Sequence, residues 1–399
     1  MQFLLEQARA VLPVVTDLRR SIHREPEIGL NLPLSQAKVL EALEGLPLEI
    51  RRGQRTTSIV ADLRGRKPGP TLILRGDMDA LPLQEDTSEP FQSTVDGRMH
   101  ACGHDAHTAM LTGAASVLAQ HQAELAGVVR FMFQPGEEDP NAGALIMLEE
   151  GLLEPPAGGS PPAAAFALHA SPASPPGDVL TGSGAILAST DNFTVVVRGR
   201  GGHAAYPHLA ADPVPVACEV AMALQTMVTR SINVFSPGVL TVGRIEAGTA
   251  SNIIPETATL HGIIRTLSPE TRATLVGGLA RVSRGVAAAH GLEAEVHNQP
   301  GYPVAVNDDR FAELVLEVGR ELLGSEHSLH PSTPELATED FAYVLERIPG
   351  AMSSLGSRPA GFDHLDAPHN HSNRYLFNEA ALPFGIAMHA AVALKFLSS

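Results

Sequence analysis

Three short apolar runs punctuate the first half of the chain, at residues 71–75, 128–133 and 164–168. Runs of this length, bounded by Gly or Pro, read as buried strands. Between the first two, the Ala- and Leu-rich stretch 108–120 has helical spacing. Residues 36–44 predict another helix, with Ser35 as its N-cap and Gly45 as its stop. Strands alternating with helices predict a mostly parallel α/β sheet. Such sheets place ligands at the carboxyl ends of their strands. Each of these three runs leads into chemically unusual residues: Gly76-Asp-Met-Asp79, Gln134-Pro-Gly-Glu-Glu138 and His169.

After residue 184 the rhythm changes. The pattern predicts a strand at 193–200, a helix at 215–231, strands at 239–246 and 257–266, a helix at 269–290 and a strand at 293–297. The second helix is sharply bounded, with Ser268 as N-cap, Pro269 in first position and Gly291 as stop. Its expected apolar face is Leu275, Leu279, Val282, Val286 and Ala289. The order β-α-β-β-α-β is the split βαβ unit of ferredoxin-like domains. At about 110 residues, this unit can be an independent domain inserted into the first. The expected division is therefore 1–186, 187–298 and 299–399, with the last part completing the first domain.

Composition narrows the class. A chain of 399 residues exceeds one ordinary domain. Its 28 Lys+Arg against 44 Asp+Glu give a net charge of −16, without a dense basic run. That argues against nucleic acid or an anionic membrane as a partner. Two cysteines, Cys102 and Cys218, exclude a disulfide scaffold and suggest a reducing compartment. No apolar run approaches the roughly 18 residues that span a bilayer. Glu6 and Arg9 interrupt the N-terminal apolar stretch, so no clean signal-peptide core is expected. The expectation is a soluble, cytoplasmic enzyme. Seventeen histidines, against four tyrosines and no tryptophan, are the compositional outlier.

The histidines concentrate where chemistry is plausible. In Met99-His-Ala-Cys-Gly-His-Asp-Ala-His107, Cys102 and His104 are metal-ligand types two residues apart, and Gly103 lets the backbone turn between them. In Gln134-Pro-Gly-Glu-Glu138, one carboxylate can ligate a metal while its neighbour serves as a general base on an activated water. Asp77 and Asp79 could bind metal or orient a ligand histidine. Cys, His, Glu and His are too many for one catalytic zinc with an open position, so a two-metal site fits better.

These blocks resemble the aminoacylase/carboxypeptidase family of two-metal peptidases, specifically its amidohydrolase branch of N-acyl-amino-acid amidohydrolases, hippurate hydrolases and indole-acetyl-amino-acid hydrolases. The matching segments are Arg19-Arg-Ser-Ile-His-Arg-Glu-Pro-Glu27, Arg75-Gly-Asp-Met-Asp-Ala-Leu-Pro82, His100-Ala-Cys-Gly-His-Asp-Ala-His107 and Gln134-Pro-Gly-Glu-Glu138. Residues 199–213, 251–255, 262–265, 338–343 and 371–385 continue the match in order along the chain. The resemblance implies a phosphorylase/hydrolase-like catalytic domain with a mostly parallel sheet and an inserted ferredoxin-like lid or dimerisation domain. It implies two divalent ions per subunit (Zn, Mn, Ni or Co, with Zn or Mn foremost) held by Cys102, His104, Glu138, His169 and His371. Cys102 would bridge them. Glu137 would be the general base, Asp79 would orient the site, and His107 would stand outside the ligand set.

The last ligand is read through a departure from the family pattern. Relatives have His-x-Pro-x-Phe, whereas this chain has Pro368-His-Asn-His-Ser-Asn-Arg-Tyr375, with Asn373 in the Pro position and His369 as a competitor. The following Phe377-Asn-Glu-Ala-Ala-Leu-Pro383 sets the register in favour of His371. In the inserted domain, the resemblance gives His203 to the scissile carbonyl and its developing oxyanion, and Asn252 and Arg265 to the substrate's free carboxylate. The implied reaction hydrolyses an N-acyl-L-amino acid to a carboxylic acid and an amino acid. The implied assembly is a homodimer, or a dimer-based tetramer, through the lid. The alternatives are a carboxypeptidase cutting short or N-blocked peptides, and a non-catalytic metal-binding protein on the same fold.

Overall fold

The computed structural model describes residues 1–398. They form two compact units: residues 1–184 with 306–332 and 343–398, and residues 185–305 with 333–342. The second unit thus extends past residue 298, and it also takes in Thr333–Ala342, a stretch expected in the other domain. The reason is local pairing: the Glu335 and Ala188 N–H groups bond to the Ile186 and Ala337 carbonyls, at 2.9 Å each.

Among the described residues, the first unit carries an eight-stranded sheet. Its strands are β1 (Leu48–Arg52), β2 (Ile59–Arg64), β3 (Lys67–Asp77), β4 (Ala126–Gln134), β5 (Pro162–Ser171), β6 (Val179–Leu180), β7 (Ser328–Leu329) and β8 (Gly350–Gly356). The spatial order is β1-β2-β4-β3-β5-β8-β6-β7. The three apolar runs of the sequence lie together in the centre as β4, β3 and β5. These pair in parallel, and β8 pairs in parallel with β5. The antiparallel pairs β1–β2, β2–β4 and β8–β6 lie to either side. Central strands are buried on both faces, which is why they read as continuous apolar runs.

Around this sheet stand helices α1 (Phe3–Arg24), α2 (Pro33–Ala42), α3 (His104–Gln120), α4 (Gly143–Glu149), α5 (Asp309–Leu323) and α6 (Leu382–Phe396). Helices α1, α3 and α6 pack on one another around a core that includes Ile22, Met110 and Ile386. Residues Glu379–Phe396 are apolar and long enough on composition to span a bilayer, contrary to the sequence expectation. In the fold, 72% of that segment is buried, so it is the first unit's core helix.

Two helix starts differ from expectation. α2 begins at Pro33, so Ser35 lies inside it. The cap is the Glu27 carboxylate, which accepts the N–H groups of Leu34 and Ser35 at 3.2 and 2.8 Å. A carboxylate suits a helix N-terminus because it meets both free donors and the positive end of the dipole. α3 begins four residues before its predicted start. Gly103 has φ +87°, a conformation glycine takes without steric cost, and its carbonyl accepts the Ala106 and His107 N–H groups. His104, Asp105 and His107 are therefore in the first turn of a buried helix.

The second unit has an antiparallel sheet in the order Gly238–Ala247, Thr257–Thr266, Ser189–Arg198, Glu293–Pro300. Numbered along the chain this is 2-3-1-4, the ferredoxin-like arrangement. Helices Pro213–Ser231 and Pro269–Ala289 pack on it. The caps are Asp212, which accepts the Val214 N–H, and Ser268, which accepts the Thr271 N–H. In the second helix Leu275 and Leu279 are buried as expected. At its end Ala287, not Ala289, meets the core, because the final turn rotates past the expected face.

Candidate metal centre

The first unit gathers the Cys102 loop, the ends of β3, β4 and β5, and the segment around His371. Two groups of possible ligands share one atom, the Cys102 Sγ. One is Cys102, His104 and His169. The other is Cys102, Glu138 and His371. Within each group the ligand atoms lie within 4.8 Å of one another. A third group of the same compactness joins His104 to Glu137 and Glu138. The Cys102 Sγ is thus common to two candidate groups, and Glu137 lies beside His104 and Glu138.

His104, buried, and His169, half-buried, are both oriented by main-chain carbonyls. The His104 Nδ1–H donates to the Asp79 carbonyl at 2.9 Å, and the His169 Nδ1–H to the Ala170 carbonyl at 3.0 Å. With Nδ1 so engaged, Nε2 is the nitrogen of each ring that remains to meet a ligand. That of His169 is 3.4 Å from the Cys102 Sγ. That of His104 is buried and lacks a hydrogen bond among the described residues. It lies 3.4 Å from Asp77 Oδ2 without a hydrogen bond to it, and a metal ion would satisfy it. Thiolate, imidazole and carboxylate together suit Zn and its neighbours in the first transition row. The donor set and its orientation therefore fit the implied pair of ions.

The electrostatics agree with that donor set. Burial would raise the Cys102 thiol, but His169 and His104 outweigh it and hold the group well below the ordinary thiol range. Burial opposes charge on His104, yet Asp77 and Cys102 raise it well above the usual imidazole value. His371, hydrogen-bonded to Cys102 and Glu138, is raised to about 10. Its Nε2 is 2.9 Å from the Glu138 Oε1. Burial pushes Glu138 itself upward. His369 is exposed and belongs to none of these groups.

His107 is fully engaged elsewhere. Its Nδ1–H donates to Asp77 Oδ1 at 2.6 Å, and its Nε2 accepts the Ala170 N–H at 2.8 Å. Burial keeps this ring neutral. Asp77 also pairs with Arg75 at 2.7 Å, which with its histidine neighbours holds it low against the effect of burial. Asp79 accepts the N–H groups of Glu137 and Glu138, one on each oxygen, at 3.0 Å. Both aspartates that follow the first apolar run thus hold other groups in place.

Some residues were not singled out by sequence reasoning. The buried Asp105, next to His104, accepts from Arg19 Nε at 2.8 Å and from His23 Nδ1 at 2.9 Å. Arg19 and His23 are four residues apart on α1, a spacing that places both on one helix face and was the available signal. Asn370 Nδ2 donates to the Cys102 carbonyl at 3.1 Å, and no sequence pattern marked it.

The residues expected to meet substrate lie in the second unit. His203 is exposed in the short strand Gly202–His203, paired with Ile253–Ile254, and its Nδ1 accepts the Ala205 N–H at 3.1 Å. The Asn252 carbonyl accepts the Ala204 N–H at 3.1 Å, which sets Asn252 beside this loop. Arg265, on Thr257–Thr266, donates to the Leu336 carbonyl at 3.1 Å.

Comparison with known proteins places the chain in a family. The family model "Peptidase family M20/M25/M40" matches residues 73–395. The chain is 38% identical over 342 residues to N-acetylcysteine deacetylase of Bacillus subtilis, covering 86% of this chain and 87% of that one. It is 34% identical over 385 residues to thermostable carboxypeptidase 2 of Saccharolobus solfataricus, covering 96% and 95%. A crystal structure of a Bacillus subtilis protein, described as a dinuclear metal binding peptidase from the M20 family, superposes with a TM-score of 0.84 at 32% identity, covering 98% and 99%. The chain belongs to peptidase family M20/M25/M40 and is a metal-dependent amidohydrolase.

Proposed function

We propose that this enzyme hydrolyses the amide bond of N-acyl-L-amino acids, releasing a carboxylic acid and a free amino acid. The observation that carries the reading is Cys102 Sγ shared between two ligand groups, with Glu137 beside them and outside both. Cys102, His104 and His169 would hold one divalent ion, and Cys102, Glu138 and His371 the other, with Zn or Mn preferred. Such a pair supplies an acidified water and an electron-poor carbonyl.

The chain's own residues do the rest. Glu137 is buried and anchored through its backbone N–H by Asp79. It takes the proton of the attacking water and delivers it to the departing nitrogen. His203 donates to the carbonyl oxygen as negative charge develops there. Arg265 holds the free α-carboxylate through its planar fork, with Asn252 as second donor. A reducing, cytoplasmic setting suits a centre built on a free thiol, and both cysteines are unpaired. A homodimer through the second unit is supported by exposed Met222, Val234 and Phe235, and by the sheet edge Gly238–Ala247.

Carboxypeptidase action on short or N-blocked peptides is the second reading, favoured by the 34% identity to the Saccharolobus enzyme. The test is a paired assay of N-acetyl-amino acids and N-blocked dipeptides, run on the native enzyme and on Glu137→Gln. Turnover of the former, lost by roughly 10²–10⁴-fold in the variant while metal content stays constant, is expected. Preference for the dipeptides would replace the first reading with the second. Unchanged turnover in the variant would remove Glu137 from the mechanism.

A further inference from the structure

We propose that Asn370 is a positioning residue that sets the geometry of the Cys102-centred site and modulates its thiolate. The inference rests on the metal-centre reading above. One amide group, Asn370 Nδ2, lies 3.1 Å from the Cys102 carbonyl, 3.4 Å from the Ala170 carbonyl and 3.7 Å from the Cys102 Sγ. Two N–H bonds are thus distributed over three acceptors. The two carbonyls belong to different elements: the loop before α3, which carries Cys102, and the end of β5, which carries His169.

The Ala170 peptide is itself a junction. Its carbonyl accepts the His169 Nδ1–H at 3.0 Å, and its N–H donates to His107 Nε2 at 2.8 Å. Asn370 therefore binds the same carbonyl that fixes the His169 tautomer. The third element is Asn370's own chain, since the next residue is His371. The His371 N–H bonds to the Ala101 carbonyl at 2.8 Å, and its backbone has φ +66°. A non-glycine residue in the left-handed region is held there by its surroundings. Here the surroundings are two adjacent anchors on the Cys102 loop: the amide of Asn370 on residue 102 and the N–H of His371 on residue 101. Three of the five proposed ligands, from three separate elements, are tied together by this one side chain and the peptide that follows it.

The contact with sulfur gives the same group a second effect. An N–H directed at a thiolate withdraws charge from it, and hydrogen bonding around a ligating sulfur tunes the metal it holds. Asn370 is half-buried, and the contacts of its amide are to Cys102 and to the Ala170 carbonyl that orients His169, so its action is through those two residues.

The test is Co²⁺ titration of the metal-stripped protein, followed by the thiolate-to-cobalt charge-transfer band, in the native protein, Asn370→Ala and Asn370→Asp. Thermal unfolding of each metal-free protein is the folding control. The native protein should show the band. Asn370→Ala should bind Co²⁺ about 10- to 100-fold more weakly with a displaced band, the usual effect of removing an outer partner of a metal ligand. Asn370→Asp keeps the shape but sets a carboxylate against two carbonyls and a thiolate, so its loss should be at least as large. Should the alanine variant not fold, the aspartate variant is judged by the same criteria. Native-like affinity and an unshifted band in a folded variant would overturn the role of Asn370 and leave the metal centre standing. Absence of the band in the native protein would overturn the metal centre, and this inference with it.

Discussion

The Asp79 carboxylate accepts the backbone N–H of Glu137 at 3.0 Å, and its second oxygen accepts that of Glu138 at the same distance. One buried side chain therefore sets the direction of both the proposed base and a proposed ligand. Asp79→Asn keeps the volume and loses one acceptor, leaving a buried N–H unpaired at a cost of about 1–3 kcal/mol. A displacement of the base by about 1 Å is worth roughly 10²-fold in rate. Steady-state kinetics should show kcat reduced by about 10- to 100-fold with little change in KM. A kcat within twofold of native would mean that Asp79 does not govern the base.

Metal binding should release protons at neutral pH. In the metal-free protein His371, raised to about 10, and His104, raised well above the usual imidazole value, are cationic. Cys102, held well below the ordinary thiol range, contributes less to that release than an ordinary thiol would. Ligating nitrogens must be neutral, so at least one proton leaves and affinity rises as pH approaches 10. Calorimetric titration in buffers of different ionisation enthalpy measures the number directly. Zero proton release at pH 7 would contradict these charge states.

Arg19 neutralises Asp105 from α1 at 2.8 Å, with both side chains buried. Burial would raise Asp105, but Arg19 and His23 hold it far below the usual carboxylate range. Arg19→Met leaves that charge with His23 alone and should cost about 3–5 kcal/mol in urea unfolding near neutral pH. Because the folded-state value is depressed, the stabilisation is present above the ordinary carboxylate pKa and is lost as pH falls. The difference between variant and native should therefore begin to shrink below about pH 4. A loss under about 1 kcal/mol would show that the pair is not a structural anchor.

Legibility in the sequence followed periodicity and residue type. Residues 71–75, 128–133 and 164–168 were readable as strands because central parallel strands are apolar on both faces, and they are the sheet's centre. The flanking strands were not, since β1 is largely exposed and β6 and β7 are two residues each. Cys102 and His104 stood out by residue type and spacing, Glu138 and His169 by their place at strand ends, and His371 only through the family resemblance. Glu27 as the α2 cap was hidden because its partners are seven and eight residues away, beyond any capping pattern. His107, expected to stand outside the ligand set, has both ring nitrogens engaged, by Asp77 and by the Ala170 N–H. Asn370 was hidden because an amide carries no signature. Its role comes only from the fold, which brings it to Cys102 across a sequence separation of 268.

The most direct test of the central claim is the release of free amino acid from an N-acetyl-amino acid, as metal-stripped enzyme is titrated with Zn²⁺ or Mn²⁺. Two ligand groups sharing Cys102 predict no activity without metal and a rate that reaches its plateau at two equivalents per chain. A plateau at one equivalent, or full activity in the stripped enzyme, would contradict the two-metal account.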